Sequence, residues 1–147
     1  MCGLFGALSF TSQGIDKGLA QAMSEKVARR GPDDKGEWFD GPVMLGHRRL
    51  SIIDLSSAGH QPMHDVQQRY SIVFNGTIYN YPELREQLLI MGYQFQSNSD
   101  TEVCLNAYSC WCQQCSETLT GMFAFATLSP LRQRLFLSRH RSGCKPH

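Results

Sequence analysis

Cys2 is the second residue of a chain that opens Met1-Cys2-Gly3-Leu4-Phe5-Gly6, and removal of Met1 would leave its thiol beside its own α-amino group. The thiolate is the reactive form of cysteine. An α-amino group, with a reference pKa of about 7.7–8.0, can take up and relay the thiol proton near neutral pH. Nucleophile and base then sit on one residue, held by covalent bonds. The competing reading is an ordinary core cysteine, since Cys is among the most buried residue types.

Asn75-Gly76 is the second element with chemical potential. Between two alternating strands this dipeptide makes a hairpin turn. Here a helix start, Asn80-Tyr81-Pro82-Glu83, follows within a few residues instead. An Asn amide and a Gly N–H presented together at a strand end can hold a developing oxyanion, which is worth about 2.7–4 kcal/mol per donor in acyl transfer. Arg49 is either a surface strand residue or a two-pronged carboxylate ligand, and Asp100 either complements a helix dipole or receives an ammonium. One cation for a carboxylate, one anion for an ammonium, a thiol and an oxyanion cradle suffice to recognise and cleave an α-amino acid amide.

These residues must be positioned by a mixture of strands and helices. Residues 3–10 read as a buried strand followed by a turn at residues 11–14. Leu19, Ala22, Met23 and Val27 recur at helical spacing until Gly31-Pro32. Residues 43–45 and 50–53 read as strands flanking Gly46-His47-Arg48-Arg49, and residues 70–74 form the clearest strand. A helix is expected over residues 82–91, with Asn80 as its cap and Gly92 at its end. Ser99-Asp100-Thr101-Glu102 fits a capping box, which pins Asp100 to a helix N-terminus. Residues 122–128 and 134–138 close the chain as a hairpin through Ser129-Pro130. Periodicity and composition thus give an α+β layered domain.

The 147 residues suit about one domain, and the net charge of +1 leaves no basic footprint for nucleic acid. No stretch has the length and apolarity to cross a bilayer, and no basic, apolar leader opens the chain, so the cytoplasm is the expected compartment. The six cysteines are accordingly read as thiols. Cys110, Cys112 and Cys115 lack the second spaced pair and the His partner of common zinc sites, so no metal is assigned.

Several motifs together resemble the N-terminal glutaminase domain of glutamine-hydrolysing asparagine synthetases. They are Met1-Cys2-Gly3, Arg30-Gly31-Pro32-Asp33-Asp34, Gly46-His47-Arg48-Arg49-Leu50-Ser51-Ile52-Ile53-Asp54, Gln61-Pro62-Met63, Phe74-Asn75-Gly76, Ser99-Asp100-Thr101-Glu102 and Gly121-Met122-Phe123-Ala124-Phe125-Ala126. The resemblance is to a class II glutamine amidotransferase of the N-terminal-nucleophile hydrolase type and spans residues 1–147. It implies a four-layer αββα sandwich of mainly antiparallel sheets, with Cys2 at the start of a central strand. It further implies that Cys2 attacks the γ-amide of L-glutamine, that Asn75 and Gly76 form the oxyanion hole, that Arg49 grips the α-carboxylate and that Asp100 receives the α-ammonium. The partner implied is a synthetase domain or subunit that takes the ammonia for asparagine synthesis. ATP and Mg would belong to that domain, and no cofactor is expected in this chain. A non-catalytic glutamine-binding or regulatory module, or a nonfunctional remnant of a longer gene, is the alternative.

The chain departs from the family pattern at particular positions. Thr77 stands where the family has a Glu that helps hold the ammonium, which predicts weakened glutamine binding. His140 replaces an Asp in residues 139–147, where Ser142 and Cys144 also occupy apolar positions, and Cys112 stands where relatives end a helix with Gly. The resemblance also implies further strands and a synthetase domain with a Ser-Gly-Gly pyrophosphate loop beyond residue 147. Without those strands the sandwich is expected to be incomplete at its C-terminus, with an exposed edge.

Overall fold

The computed structural model describes residues 2–11 and 14–141. Among them, β1 (Gly3–Leu8), β2 (Asp34–Asp40) and β3 (Val43–Arg49) form an antiparallel sheet in the order β1-β3-β2. A second antiparallel sheet runs β4-β5-β6-β7, from β4 (Met63–His64), β5 (Ser71–Ile78), β6 (Gly121–Ser129) and β7 (Arg134–Arg139). The helices are α1 (Lys17–Lys26), α2 (Tyr81–Ile90), α3 (Asp100–Trp111) and the short α4 (Cys115–Thr118).

The two-residue period of the strands sorts their side chains into layers. Val43 and Leu45 of β3 meet Val73, Ala126 and Leu128 of the second sheet. Met44, between them, points the other way and packs with Phe5 and Ala20 under α1. Ile72, Phe74 and Ile78 of β5 join Leu84, Leu88, Val103 and Leu105 beneath α2 and α3. The order of layers is therefore α1, first sheet, second sheet, then α2 with α3: an αββα sandwich.

Several local expectations are corrected. β3 does not break at Gly46-His47-Arg48-Arg49, because this segment is the middle strand of its sheet and pairs on both sides, Gly46 with Phe5 and Glu37, and Arg48 with Gly3 and Lys35. Residues 50–53 are not a strand; Ile52 is exposed and lies in a loop. β2 carries no strong strand signal, since Asp, Gly and Glu are poor strand formers, and its pairing to β3 overrides propensity. In α1 the packed face is Ala20, Met23, Ser24 and Val27, whereas Leu19 and Ala22 are exposed.

The capping expectations resolve differently at the two helices. Asn80 makes no side-chain cap to α2. Its amide donates to Thr118 O at 2.9 Å and accepts from Thr120 N at 2.9 Å, tying the helix start to the segment before β6. Ser99 does cap α3, accepting from Glu102 N at 3.2 Å. Glu102 does not reach back to the cap; its carboxylate accepts from Gln96 N, Ser97 N and Ser97 Oγ at 2.6–2.8 Å and so orders the approach to the helix. The hairpin of β6 and β7 forms in antiparallel register. After it, His140 N donates to Phe123 O at 2.8 Å, and the rest of the Arg139–His147 motif, from Ser142 through His147, lies outside the described residues, as does Met1.

Candidate active site

The alternation that builds the layers also gathers the chemistry. On β3 the positions facing the second sheet continue from Val43 and Leu45 to His47 and Arg49. On β1, Leu4 faces the same space, which puts Cys2 on that face at the head of the strand. On β5 the face that holds Val73 continues through Asn75 to Thr77. One end of the inter-sheet space therefore collects Cys2 and Arg49 from one sheet and Asn75 and Thr77 from the other. They line a small cavity of about 100 Å³, together with Gly76, Gln61 and Thr101.

Cys2 is half-buried and anchored through its backbone and its sulfur. Arg30 Nε donates to Cys2 O at 3.2 Å, and Cys2 Sγ accepts from Leu50 N at 3.3 Å and lies 3.6 Å from Leu50 O. Cys104 and Cys115 are fully buried thiols of a different kind. Burial pushes Cys104 well above the ordinary thiol range and Cys115 up to about 12, which removes both as nucleophiles.

Asn75 and Gly76 lie inside β5 and not at a strand end, as the sequence had suggested; the strand runs on to Ile78. What frees them is the shortness of β4, which pairs β5 only at Ile72 and Ser71. In an antiparallel ladder alternate residues present N–H and C=O to the same edge. Beyond Ile72 that edge belongs to Phe74, Gly76 and Ile78. Phe74 N donates to Gln61 Oε1 at 2.6 Å, and Phe74 O meets His47 Nε2 at 2.9 Å. Ile78 N donates to Asp100 Oδ2 at 3.1 Å. Side chains thus replace the missing strand on either side of Gly76, whose own N–H is left facing the cavity. The Asn75 amide has no hydrogen-bond partner among the described residues and lines the same cavity. Gly76 must be glycine for contact reasons: a Cβ there would run into Met122 O and Phe123 Cα of β6.

Arg49 is buried, and its guanidinium is held by neutral acceptors. Nη1 donates to Ser56 O at 2.7 Å, and Nη2 donates to Asp54 O. Gly59 packs flat against it, leaving no room for a Cβ. No carboxylate pairs with Arg49 among the described residues, so its charge stays available to an anionic ligand.

Asp100 occupies the first turn of α3, is buried, and does not line the cavity. Burial raises its carboxyl to about 6, against the opposing pull of the Ile78, Thr101 and Asp100 backbone N–H groups. His47 is also buried, and desolvation lowers it to about 4, so near neutrality it is an uncharged ring bridging the sheets. Gln61 completes the bridge, its Nε2 donating to Thr101 Oγ1 at 3.2 Å. His47, Gln61 and Asp54 were not singled out from sequence, although His47 carries a readable signal: a polar residue at an inward position of an otherwise apolar alternation.

The αββα order is the N-terminal-nucleophile hydrolase sandwich, and solved structures agree. The allosteric regulatory enzyme of purine biosynthesis superposes with a TM-score of 0.60 at 23% identity, over 74% of this chain and 25% of that one. Glutamine phosphoribosylpyrophosphate amidotransferase from B. subtilis gives 0.53 at 24%, over 63% and 22%. The model of the glutamine amidotransferase domain matches residues 1–147, and the chain belongs to that family. Among curated relatives, asparagine synthetase [glutamine-hydrolyzing] 3 of Bacillus subtilis (strain 168) is 40% identical over 99% of this chain and 24% of its own length. Asparagine synthetase B of Escherichia coli (strain K12) is 34% identical over 99% and 26%. The chain thus spans about a quarter of the length of these relatives. No helix among the described residues is long and apolar enough to cross a membrane.

Proposed function

We propose that the chain is the glutaminase unit of an asparagine synthetase-like protein, hydrolysing L-glutamine to glutamate and ammonia in the cytoplasm for a synthetase domain or subunit. The observation that carries this reading is the convergence of Cys2, Arg49, Asn75 and Gly76 on one cavity. With Met1 removed, the α-amino group of Cys2 takes the thiol proton and Sγ attacks the γ-carbonyl carbon. The new C–S bond displaces the carbonyl π pair onto oxygen, which the Asn75 amide and the Gly76 N–H receive. Collapse breaks the C–N bond, and the proton held on the α-amine goes to the departing nitrogen, giving ammonia. Water then cleaves the γ-glutamyl thioester, releasing glutamate and restoring the thiol.

Arg49 supports binding of the α-carboxylate, because a guanidinium without a counter-ion among the described residues favours a bidentate anion. Asp100 is the carboxylate assigned to the α-ammonium, in its ionised form. No step of this chemistry calls on a cofactor in the chain; ATP and Mg are assigned to the synthetase partner. The test is glutamate release from glutamine by purified protein whose N-terminal mass shows Met1 removed. Turnover that survives Cys2→Ala would sink the mechanism, and saturable glutamine binding without hydrolysis would make the chain a binding module instead.

A further inference from the structure

The loop that follows β3, residues 50–56, is organised by one side chain. Asp54 Oδ1 accepts from Ser56 N at 2.8 Å and Ser56 Oγ at 2.6 Å, folding the loop into an Asx-type turn. The same turn aims the main-chain carbonyls of Asp54 and Ser56 at Arg49. Its other oxygen, Oδ2, accepts from Asn98 N at 2.8 Å and moors the turn to the segment that caps α3. The start of the loop is pinned separately, by Ser51 N donating to Asp33 Oδ2 at 2.8 Å. Although close to Arg49, the Asp54 carboxylate is not its ion-pair partner. It is held by three other donors, and neutral carbonyls occupy two of the five guanidinium N–H groups. The arrangement fixes the direction of the guanidinium without neutralising it.

We propose that Asp54 is a positioning residue for substrate-carboxylate recognition: it shapes the carbonyl pair that orients Arg49 and locks that pair to the N-terminal segment of α3. This rests on the reading of Arg49 as the grip on the α-carboxylate of glutamine. The hydrogen bonds to Ser56 and Asn98, with burial opposing them, hold the Asp54 carboxyl below its ordinary range, so the anionic acceptor is the form present at neutral pH.

The experiment compares the full chain, with Met1 removed, as wild type, Asp54→Asn and Ser56→Ala. Calorimetry gives the Kd of L-glutamate, which carries the α-carboxylate and needs no turnover, and of 4-aminobutanamide, which is glutamine without that carboxylate. Kinetics give KM and kcat for L-glutamine. Asp54→Asn is expected to raise the glutamate Kd and the glutamine KM about tenfold, through loss of charge-assisted hydrogen bonds, with kcat within about twofold. Ser56→Ala removes one neutral donor to Asp54, together with the acceptor of Ala58 N, from an exposed residue and is expected to raise both by about threefold, which keeps the question open to measurement even if Asp54→Asn fails to fold. 4-Aminobutanamide is expected to bind all three proteins equally. Unchanged glutamate binding in the folded variants, or an equal loss for the carboxylate-free probe, overturns the proposal. A wild type that binds glutamate yet leaves glutamine intact overturns the amidase reading alone, and the Kd values still decide the role of Asp54. A wild type that binds neither glutamate nor glutamine overturns both.

Discussion

The sulfur of Cys2 accepts a hydrogen bond from the backbone N–H of Leu50, the residue directly after Arg49. The proposed nucleophile and the proposed carboxylate grip are therefore registered to each other by one peptide unit at the end of β3. Cys2→Ser keeps an acceptor for that N–H and is expected to retain the wild-type thermal midpoint. It is also expected to lose glutamine hydrolysis by on the order of 10³-fold or more, measured as ammonia release. Asn75→Ala, which removes one of the two proposed oxyanion donors, is expected to lower kcat by about 10²–10³ with little change in KM.

Thr77 shares the inter-sheet face of β5 with Asn75 and lines the cavity with an uncharged side chain. Introducing a carboxylate there gives the α-ammonium of glutamine a charge-assisted partner worth about 1.5–3 kcal/mol, or roughly tenfold or more in affinity. Thr77→Glu is expected to lower the KM for glutamine by that factor and to leave the KM for glutaramate, which lacks the amino group, no better than in wild type. An unchanged glutamine KM would remove Thr77 from substrate recognition.

The layered class and the helix starts at residues 80–83 and 99–102 were legible in the sequence because periodicity, the early Pro82 with Glu83, and the Ser99 cap are local signals, although Asn80 itself turned out not to cap its helix. β3 was not, because Gly46-His47-Arg48-Arg49 is a poor strand by composition and is held extended by neighbours on both sides. Asn75-Gly76 carries a turn signal yet lies mid-strand, since its exposure comes from the early end of β4, which is a tertiary fact. Cys2, Arg49, Asn75 and Gly76 were named from residue chemistry and resemblance, and the fold brings these four to one cavity whose lining does not include Asp100. His47 was legible as a polar residue at an inward strand position, whereas the long-range contacts of Gln61 to Phe74 N and of Asp54 to Asn98 N join segments far apart in the chain, which no spacing pattern reveals.

His47 is lowered to about 4 by burial, so between pH 6.5 and 4 the unfolded chain binds a proton that the folded one refuses. Stability is then lost as pH falls through this window, by up to about 3 kcal/mol, and the effect vanishes above it. His47→Gln keeps a donor for Phe74 O and has no such titration. Urea unfolding at pH 7, 5.5 and 4.5 is expected to show wild type losing stability faster than His47→Gln as the solution is acidified. Parallel losses would mean that the ring titrates normally.

Asp100 has the opposite sign. With its carboxyl raised to about 6 from an ordinary value of 3.8, the folded state binds the extra proton, so this group lowers stability as pH rises from about 4 to 6 and the full cost remains above. Asp100→Asn is expected to be the more stable protein at pH 7.5, by on the order of 2–3 kcal/mol, and to converge on wild type near pH 4. Glutamine KM in wild type is expected to rise as pH falls below about 6, if the proposed ammonium-binding anion is the group being protonated, while Asp100→Asn shows a high KM throughout. A variant no more stable than wild type at pH 7.5 would show that the Ile78, Thr101 and Asp100 N–H groups fully offset the burial of the charge.

Cys112 ends α3 with φ 53° and ψ −132°, its N–H donating back to Tyr108 O. A positive φ favours glycine, and a side chain held there stores strain of about 1–3 kcal/mol. The thiol gains little in return, since its one hydrogen-bond contact among the described residues is with Arg132 Nη1 at 3.9 Å on the protein surface. Cys112→Gly is therefore expected to stabilise the chain, by about 1 kcal/mol once the greater freedom of an unfolded glycine is subtracted. The site lies at the opposite end of α3 from Asp100 and does not line the cavity, so glutamine KM and kcat are expected to stay at wild-type values. A fall in the urea midpoint on making this substitution would show that the thiol contributes packing that outweighs the relief of backbone strain.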